Sequence, residues 1–244
     1  MEEHLNHLID RYPKLIVCRE DIWQAYKLLE TAYQNDRKLL VCGNGGSASD
    51  SEHIVGELMK EFKLKRKVYG HTDCETTLRS LVEENAERAE MLKAHTKCID
   101  RKFAKIGEKM ESIDPEMGAV LRENLQGALP AICLTGHSSL TTAFMNDANA
   151  DLVFAQQVNG YGKAGDVFLG ISTSGNSKNV LYAAVTAKSK GLKVIGLTGA
   201  KENKLMKFAD VCIRVPETET FKIQELHLPV YHCLCLMLEQ KFFM

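Results

Sequence analysis

The sequence predicts an α/β protein built on a parallel, doubly wound sheet. Five short apolar runs recur along the chain, each followed directly by a turn signal, and helical patterns separate them. The runs lack the alternation of polar and apolar residues expected of a strand with one face in water, so each is expected to be buried on both faces. Strands and helices in repeated alternation imply parallel strands joined by helical crossovers.

The predicted elements follow one another along most of the chain. A length of 244 residues with 45% apolar content suits one substantial core, so residues 1–244 are predicted to form a single domain. The predicted strands are KLLVCG (38–43), AICLTG (131–136), DVFLGIS (166–172), KVIGLTG (193–199) and DVCIRVP (210–216). The predicted helices cover about 47–62, 138–147, 176–190 and 218–242.

The segment from about 63 to 126 departs from this rhythm. It is highly charged and carries apolar residues at helical spacing, which predicts two or three helices inserted between the first and second strands. A solvated elaboration, a cap over the ligand and an oligomer contact all remain open for this insertion.

The charge and apolar content of the chain limit the kinds of molecule that it is expected to bind. Thirty-one basic and 32 acidic residues give a net charge of −1, which provides no overall field for nucleic acid or an anionic membrane. No apolar segment approaches the about 20 residues that span a bilayer, and the first residues, MEEHLNHLID, lack a signal-peptide pattern. We therefore expect a cytoplasmic protein with a small ligand. The eight cysteines form no C-x-x-C pair, which predicts buried, reduced thiols.

The loop STSGNS, between the third strand and the next helix, is the clearest candidate for an anion site. Backbone N–H groups at a helix start favour a phosphate. The hydroxyls of Ser172, Thr173, Ser174 and Ser177 add neutral donors, and Gly175 allows close approach. The P-loop pattern is absent, so a single sugar-bound phosphate fits better than a nucleotide. An ordinary turn with a helix cap would use the same residue types.

The loop after the first strand, GNGGSASD, is not a dinucleotide fingerprint. Gly43, Gly45 and Gly46 do not complete G-x-G-x-x-G, because Ala48 occupies the third glycine position. A Rossmann cofactor site is therefore rejected.

Two helices carry residues that suit metal binding or proton transfer. His53 and Glu57 stand four residues apart, on one helix face. Gln224 and His232 are eight residues apart, about 80° around their helix. Two imidazoles, a carboxylate and an amide oxygen suit zinc. Each residue alone also has an ordinary explanation in a surface or core hydrogen bond, and His227 has no evident role.

Together these motifs resemble the SIS (sugar isomerase) domain, and within it the phosphoheptose isomerases, which act on sedoheptulose 7-phosphate. The resemblance covers most of the chain outside the insertion. The matching segments are VCGNGGSASDSEHIVGEL (41–58), LTTAFMND (140–147), GDVFLGISTSGNSKNV (165–180), GLKVIGLTG (191–199) and IQELHLPVYH (223–232).

The resemblance implies a five-stranded flavodoxin-like sheet and a homotetramer whose active sites are shared between subunits. The family's phosphate loop corresponds to the serine loop. Its sugar contacts correspond to Asn44, Gly45, Gly46, Asn146 and Asp147. In members that bind zinc, the ligands correspond to His53, Glu57, Gln224 and His232.

The implied reaction is an aldose–ketose isomerisation through an enediol, assisted by zinc. Glu57 is assigned as the base and His232 as the acid, with Gln224 orienting the sugar and Asp147 assisting. A carboxylate bound to zinc is less basic, so whether Glu57 is ligand, base or both stays open. The main alternative is a non-catalytic SIS protein that binds a sugar phosphate or another protein as a sensor or adaptor.

Three features depart from the family pattern. They are the insertion, His137 where an acidic residue is common, and Pro229 within the matched C-terminal helix. The first two concern the region around the sugar, so the identity of the substrate is less constrained than the type of reaction.

Overall fold

The computed structural model describes residues 1–66 and 109–244. The strands are β1 (Leu39–Cys42), β2 (Ala131–Cys133), β3 (Val167–Ile171), β4 (Lys193–Gly199) and β5 (Val211–Val215). The helices are α1 (Glu2–Arg11), α2 (Arg19–Gln34), α3 (Gly46–Met59), α4 (Pro115–Asn124), α5 (Ser138–Asp147), α6 (Val153–Tyr161), α7 (Lys178–Ser189) and α8 (Thr220–Phe243). The five predicted strands are confirmed, as are the four predicted helices at α3, α5, α7 and α8.

The five strands form one parallel sheet in the order β2-β1-β3-β4-β5. In register, Leu40 of β1 lies opposite Ile132 of β2 and Phe168 of β3. The predicted doubly wound α/β fold is thereby confirmed. The chain leaves β1 in one direction to form β2 and returns to its other side to form β3. In such sheets ligands bind beyond the carboxyl ends of the strands at this reversal.

Apolar side chains on the strands bury both faces of the sheet. Leu40 and Phe168, each fully buried, pack with Val158 of α6 and Val180 of α7. Residues one position along a strand point to the opposite face, as do Val41 and Leu169. Burying each such side chain contributes about 1.5–3 kcal/mol. The rigid sheet fixes where the β1 and β3 loops begin.

Three helices were not assigned from the sequence: α1, α2 and α6. Helix α2 shows an amphipathic pattern, with Ile22, Ala25, Tyr26 and Leu29 buried on one face. Helix α8 is continuous through Pro229, although proline lacks the N–H that would bond to the carbonyl of residue 225.

The chain divides into two compact units, residues 1–59 with 129–238 and residues 60–128 with 239–244. The second unit contains the described part of the predicted insertion. Within its described part, Arg66 donates to Glu239 at 2.8 Å, and both side chains are almost fully buried. The backbone N–H groups of residues 62–64 also donate to the Glu239 carboxylate. Helix α4 agrees with the helical insertion predicted for 63–126, but residues 67–108 lie outside the described ranges. The insertion's role and the single-domain assignment stay predictions.

In the described ranges, none of the helices has the length and apolar content needed to cross a bilayer. The cysteines of these ranges are free thiols. Cys18, Cys42, Cys233 and Cys235 are buried, as predicted, whereas Cys133 and Cys212 are only partly buried. Cys74 and Cys98 lie outside the ranges.

Candidate active site

The serine loop between β3 and α7 has the form expected of an anion site. Ser172 Oγ lies 3.0 Å from Ser177 Oγ and accepts a hydrogen bond from the Gly175 N–H at 3.1 Å. Ser174 Oγ accepts from the Asn176 N–H at 3.2 Å. Ser177 precedes α7, and its hydroxyl pairs with Ser172 instead of capping the helix. The Ser177 side chain therefore leaves the helix start uncapped, although the Val180 N–H there donates to Asn179 Oδ1 at 3.0 Å.

A neighbouring loop holds the serine loop in place. Gly175 has a φ of +62°, and a Cβ there would overlap the Asn203 side chain. The Asn176 side chain accepts from the Lys204 N–H at 3.0 Å, and the Thr173 carbonyl accepts from the Gly199 N–H at 3.1 Å. The loop after β4 thus fixes the conformation of the loop after β3.

The loop after β1 is joined to the start of α7 by a pair of amides. Asn44 donates to Asn179 Oδ1 at 2.9 Å, and Asn179 donates back to Asn44 Oδ1 at 2.8 Å. Gly45 follows with a φ of +55°, and a Cβ at Gly46 would overlap the Gln224 amide. The predicted sugar-contacting loop therefore contacts Asn179 in the first turn of α7, just after the serine loop. It also contacts Gln224 of α8.

The predicted acid and base belong to one cluster between α3 and α8. His53 Nε2 lies 3.1 Å from Glu57 Oε1, across one turn of α3. The His53 and His232 rings meet edge to face, with centroids 5.0 Å apart and planes at 85°. The structure therefore brings together His53, Glu57 and His232, which are up to 179 positions apart in the chain.

Two residues that the sequence analysis did not assign complete this cluster. The Tyr231 hydroxyl lies 3.0 Å from His53 Nδ1 and donates to Asp50 Oδ1 at 3.2 Å. Burial raises the pKa of Tyr231, and the neighbouring Asp50 raises it further, so the hydroxyl stays protonated near neutral pH. Asp50 and His53 share a face of α3, while Tyr231 precedes His232 on α8.

Electrostatics favour a neutral imidazole at His232. Its burial and then the adjacent His53 ring lower the pKa of His232, and Glu57 opposes the shift. Burial also raises the pKa of Asp50, which the hydrogen bond from Tyr231 and the proximity of His53 counteract. A neutral imidazole can still donate its N–H to a developing oxyanion.

No hydrogen bond within the described ranges joins Asn146 or Asp147 to this cluster. Both are exposed at the end of α5, where Asn146 donates to Asp147 Oδ1 at 2.9 Å. None of the residues of α5 is buried. His137 precedes α5 and stacks on Tyr161, with ring centroids 5.5 Å apart.

The four predicted zinc ligands have suitable donor atoms and lie on α3 and α8. His53, Glu57 and His232 are neighbours, whereas the Gln224 amide lies against Gly46, at the first residue of α3. Gln224 and His232 are separated by about 12 Å along the helix axis. Within residues 1–66 and 109–244, no group of three or more His, Cys, Asp or Glu side chains is arranged to hold a metal ion. Zinc binding stays a prediction.

Sequence comparisons identify the relatives of this chain. A profile of the SIS domain matches residues 112–199. The phosphoheptose isomerase of Nitratiruptor sp. is 33% identical over 224 residues, covering 92% of this chain and 88% of the relative. The phosphoheptose isomerase of Helicobacter pylori is 32% identical over 241 residues, covering 99% of this chain and 94% of the relative.

Solved structures agree with the sequence relatives. The phosphoheptose isomerase from Francisella tularensis matches with a TM-score of 0.64 and 27% identity, covering 97% of this chain and 98% of that chain. The phosphoheptose isomerase from Neisseria gonorrhoeae matches with a TM-score of 0.62 and 28% identity, covering 96% and 98%. Fold, motif order and identity over almost the whole chain thus agree, and the chain belongs to the phosphoheptose isomerase family.

Proposed function

We propose that this aldose–ketose isomerase converts sedoheptulose 7-phosphate into D-glycero-D-manno-heptose 7-phosphate through an enediol. Family membership supports a sugar-phosphate isomerase. The observation that carries the catalytic part is the cluster of His53, Glu57 and His232 on α3 and α8. The serine loop after the adjacent strand β3 supplies the neutral donors for a phosphate monoester.

Interconversion requires one proton to leave a carbon and another to reach its neighbour. Glu57 removes a proton from C1 of the ketose while the C2 carbonyl oxygen gains one, which produces the enediol. Return of a proton to C2, with loss of the O1 proton, gives the aldose. A positioned base and a positioned acid contribute about 10²- to 10⁴-fold each to the rate.

His232 is suited to donate to the carbonyl oxygen from the neutral state. Because burial and His53 lower its pKa, the ring favours the neutral form, whose N–H can donate a hydrogen bond. A neutral imidazole N–H can stabilise the negative charge on an enediolate oxygen by a hydrogen bond. The ring does not have to change its own charge before the reaction. Gln224 and Asp147 are proposed to orient the sugar, and Asn44, Gly45, Gly46 and Asn146 to bind it.

Zinc assistance is part of the proposal. His53, Glu57, Gln224 and His232 would hold the ion, which would polarise the sugar carbonyl. Activity should fall after verified removal of metal by chelation and return with Zn²⁺. Full activity in a protein shown by mass spectrometry to be metal-free would remove zinc from the proposal.

We propose a homotetramer with shared active sites, located in the cytoplasm. The exposure of Asn146 and Asp147 at the end of α5 supports contributions from a second copy. The alternative of a non-catalytic sensor or adaptor needs the serine loop alone, and the cluster of acid and base residues favours catalysis.

A panel of ketose phosphates tests the substrate assignment. Sedoheptulose 7-phosphate and pentose and hexose ketose phosphates are incubated separately with the full-length protein and followed by NMR. We expect conversion of the heptose with the highest kcat/KM. Faster conversion of a shorter ketose phosphate would replace the proposed substrate, and binding of every compound without conversion would favour the sensor.

A further inference from the structure

Two asparagine side chains form a closed pair of hydrogen bonds between the loop after β1 and the start of α7. Asn44 Nδ2 donates to Asn179 Oδ1 at 2.9 Å, and Asn179 Nδ2 donates back to Asn44 Oδ1 at 2.8 Å. The strands that precede them, β1 and β3, are neighbours in the sheet. Asn44 is a predicted sugar contact, whereas no role was predicted for Asn179.

The start of α7 determines which way round both amides lie. The Val180 N–H can only donate, and its nitrogen lies 3.0 Å from one side-chain atom of Asn179. That atom must therefore be the oxygen, and it accepts from Asn44 as well. The Asn44 atom that faces it is then the nitrogen, and the Asn44 oxygen faces the Asn179 nitrogen. Because Val180 is fully buried, a fixed backbone group sets the orientation of an amide in the loop.

The Asn44 amide would rotate without this partner. Asn44 is exposed, and the last torsion angle of an asparagine side chain has a broad distribution. Glycines precede and follow it, so the backbone adds little restriction of its own. Asn179 is half-buried in the first turn of α7, and its two hydrogen bonds to Asn44 oppose the rotation. The pair thus holds the Asn44 amide in one orientation before a ligand binds.

The paired Asn44 amide keeps hydrogen-bonding capacity for a ligand. An asparagine amide has two N–H donors and two lone pairs. The pair uses one of each, and within residues 1–66 and 109–244 no other group bonds to the Asn44 amide. One N–H and one lone pair therefore remain. A sugar hydroxyl suits them, because a hydroxyl both donates and accepts.

We propose that Asn179 is a positioning residue, which holds the Asn44 amide in the orientation that receives a sugar hydroxyl. Asn179 acts through Asn44 and does not itself contact the sugar. Its contribution is to fix the amide in advance, so that binding does not have to restrict the rotation. The orientation of Asn44 follows from the geometry of the pair, whereas its effect on turnover rests on the proposed function.

Crystal structures of the full-length protein without sugar test the orientation directly. In the wild type we expect Asn44 paired with Asn179. In Asn179→Ala we expect the Asn44 amide to be displaced or to occupy several orientations. Asn179→Ser is a second variant, which keeps a side-chain oxygen near the Val180 N–H but cannot close the pair, and the same change is expected. An unpaired Asn44 in the wild type, or a wild-type position of its amide in both variants, would overturn the proposal.

Asn35 provides a matched control. Its exposed amide donates to the Thr31 carbonyl at 2.7 Å, at the end of α2. It lies before the amino end of β1, whereas both loops follow the carboxyl ends of their strands. Asn35→Ala removes an exposed amide and its hydrogen bond away from the pair. The Asn44 orientation and the kinetics should match the wild type, and thermal unfolding identifies any variant that fails to fold.

A double-mutant cycle separates positioning from a structural role. For Asn179→Ala we expect kcat/KM with sedoheptulose 7-phosphate to fall about 3- to 10-fold, which is the cost of losing one neutral hydrogen bond. KM should carry most of this change, because Asn44 is proposed to contact the sugar both before and during the reaction. Asn44→Ala should lose at least as much. Adding Asn179→Ala to Asn44→Ala should lower kcat/KM no further.

The cycle also distinguishes failure of this proposal from failure of the proposed function. Additive losses in the double variant would mean that Asn179 acts independently of Asn44, which would overturn the proposal. The expected Asn44 orientations in a protein that isomerises no ketose phosphate would reject the proposed function and leave the positioning of Asn44 intact.

Discussion

His227 connects the stability of the protein to pH. The side chain is fully buried on α8. Burial lowers the pKa of His227 to about 4, and a hydrogen bond with the Thr198 backbone opposes the shift. The unfolded chain binds this proton at pH values where the folded chain does not. Above pH 6.5 His227 is neutral in both states, and the free energy of unfolding is not reduced by its protonation. As pH falls towards 4, proton uptake by the unfolded chain lowers the free energy of unfolding.

Replacing His227 by Gln should flatten this dependence. The wild type is expected to lose about 3 kcal/mol of unfolding free energy through His227 between pH 6.5 and 4, which the variant should not lose. Urea unfolding of both proteins across this range measures the difference. Parallel curves would show that His227 has the same proton affinity in the folded and unfolded states.

Some residues of the candidate site can be predicted from the sequence and others cannot. His53 and Glu57 are detectable because four residues on a helix define one face. Tyr231 is not, because its partners Asp50 and His53 lie about 180 positions away and only the packing of α8 on α3 brings them together. A tyrosine within a largely apolar, buried stretch of α8 was the available signal. Gln224 was expected to share a site with His232; its amide lies against Gly46 at the start of α3, and the shared site stays a prediction.

Among the elements, the serine loop owes its shape to a glycine. Gly175 and Gly45 have similar positive φ values, +62° and +55°, but only Gly175 has a side chain where its Cβ would lie. Gly45→Ala should cost about 1–2 kcal/mol through backbone strain alone. Gly175→Ala should cost about 3 kcal/mol, because Asn203 must also move.

This pair of variants separates strain from overlap. Both are compared with the wild type by chemical denaturation, and phosphate-ester binding is measured by calorimetry. Gly175→Ala should also weaken binding, because Asn203 and the serine loop shift together. Equal losses of stability in the two variants would mean that Asn203 does not restrict this loop.

The strands and helices show what pattern alone can predict. Each strand was found because it is a buried apolar run with a turn after it, and parallel pairing follows from the intervening helices. Helix α6 was missed because VFAQQVNGY is short and mixes β-branched residues with glycine. The strand order was not predicted, since periodicity carries no information about which strands are neighbours.

If the protein forms the proposed homotetramer with shared active sites, defective copies should complement one another. Glu57 lies in the cluster of α3 and α8, and Asp147 lies on the exposed α5. If one copy supplies each, Glu57→Gln and Asp147→Ala chains that are co-expressed and purified as mixed oligomers should recover activity above either parent. Mixed oligomers with no more activity than the parents would place both residues of a site on one chain.

Proton exchange at the substrate carbon tests whether the cluster catalyses isomerisation. Sedoheptulose 7-phosphate is incubated in D₂O with the wild type and with Glu57→Gln, and the C1 proton signals are followed by NMR. We predict that the wild type replaces a C1 proton by deuterium and forms the aldose, while Glu57→Gln binds the sugar phosphate but exchanges about 10²- to 10⁴-fold more slowly. Equal exchange in the two proteins, or binding by the wild type with neither exchange nor aldose formation, would contradict the role of Glu57 as the base.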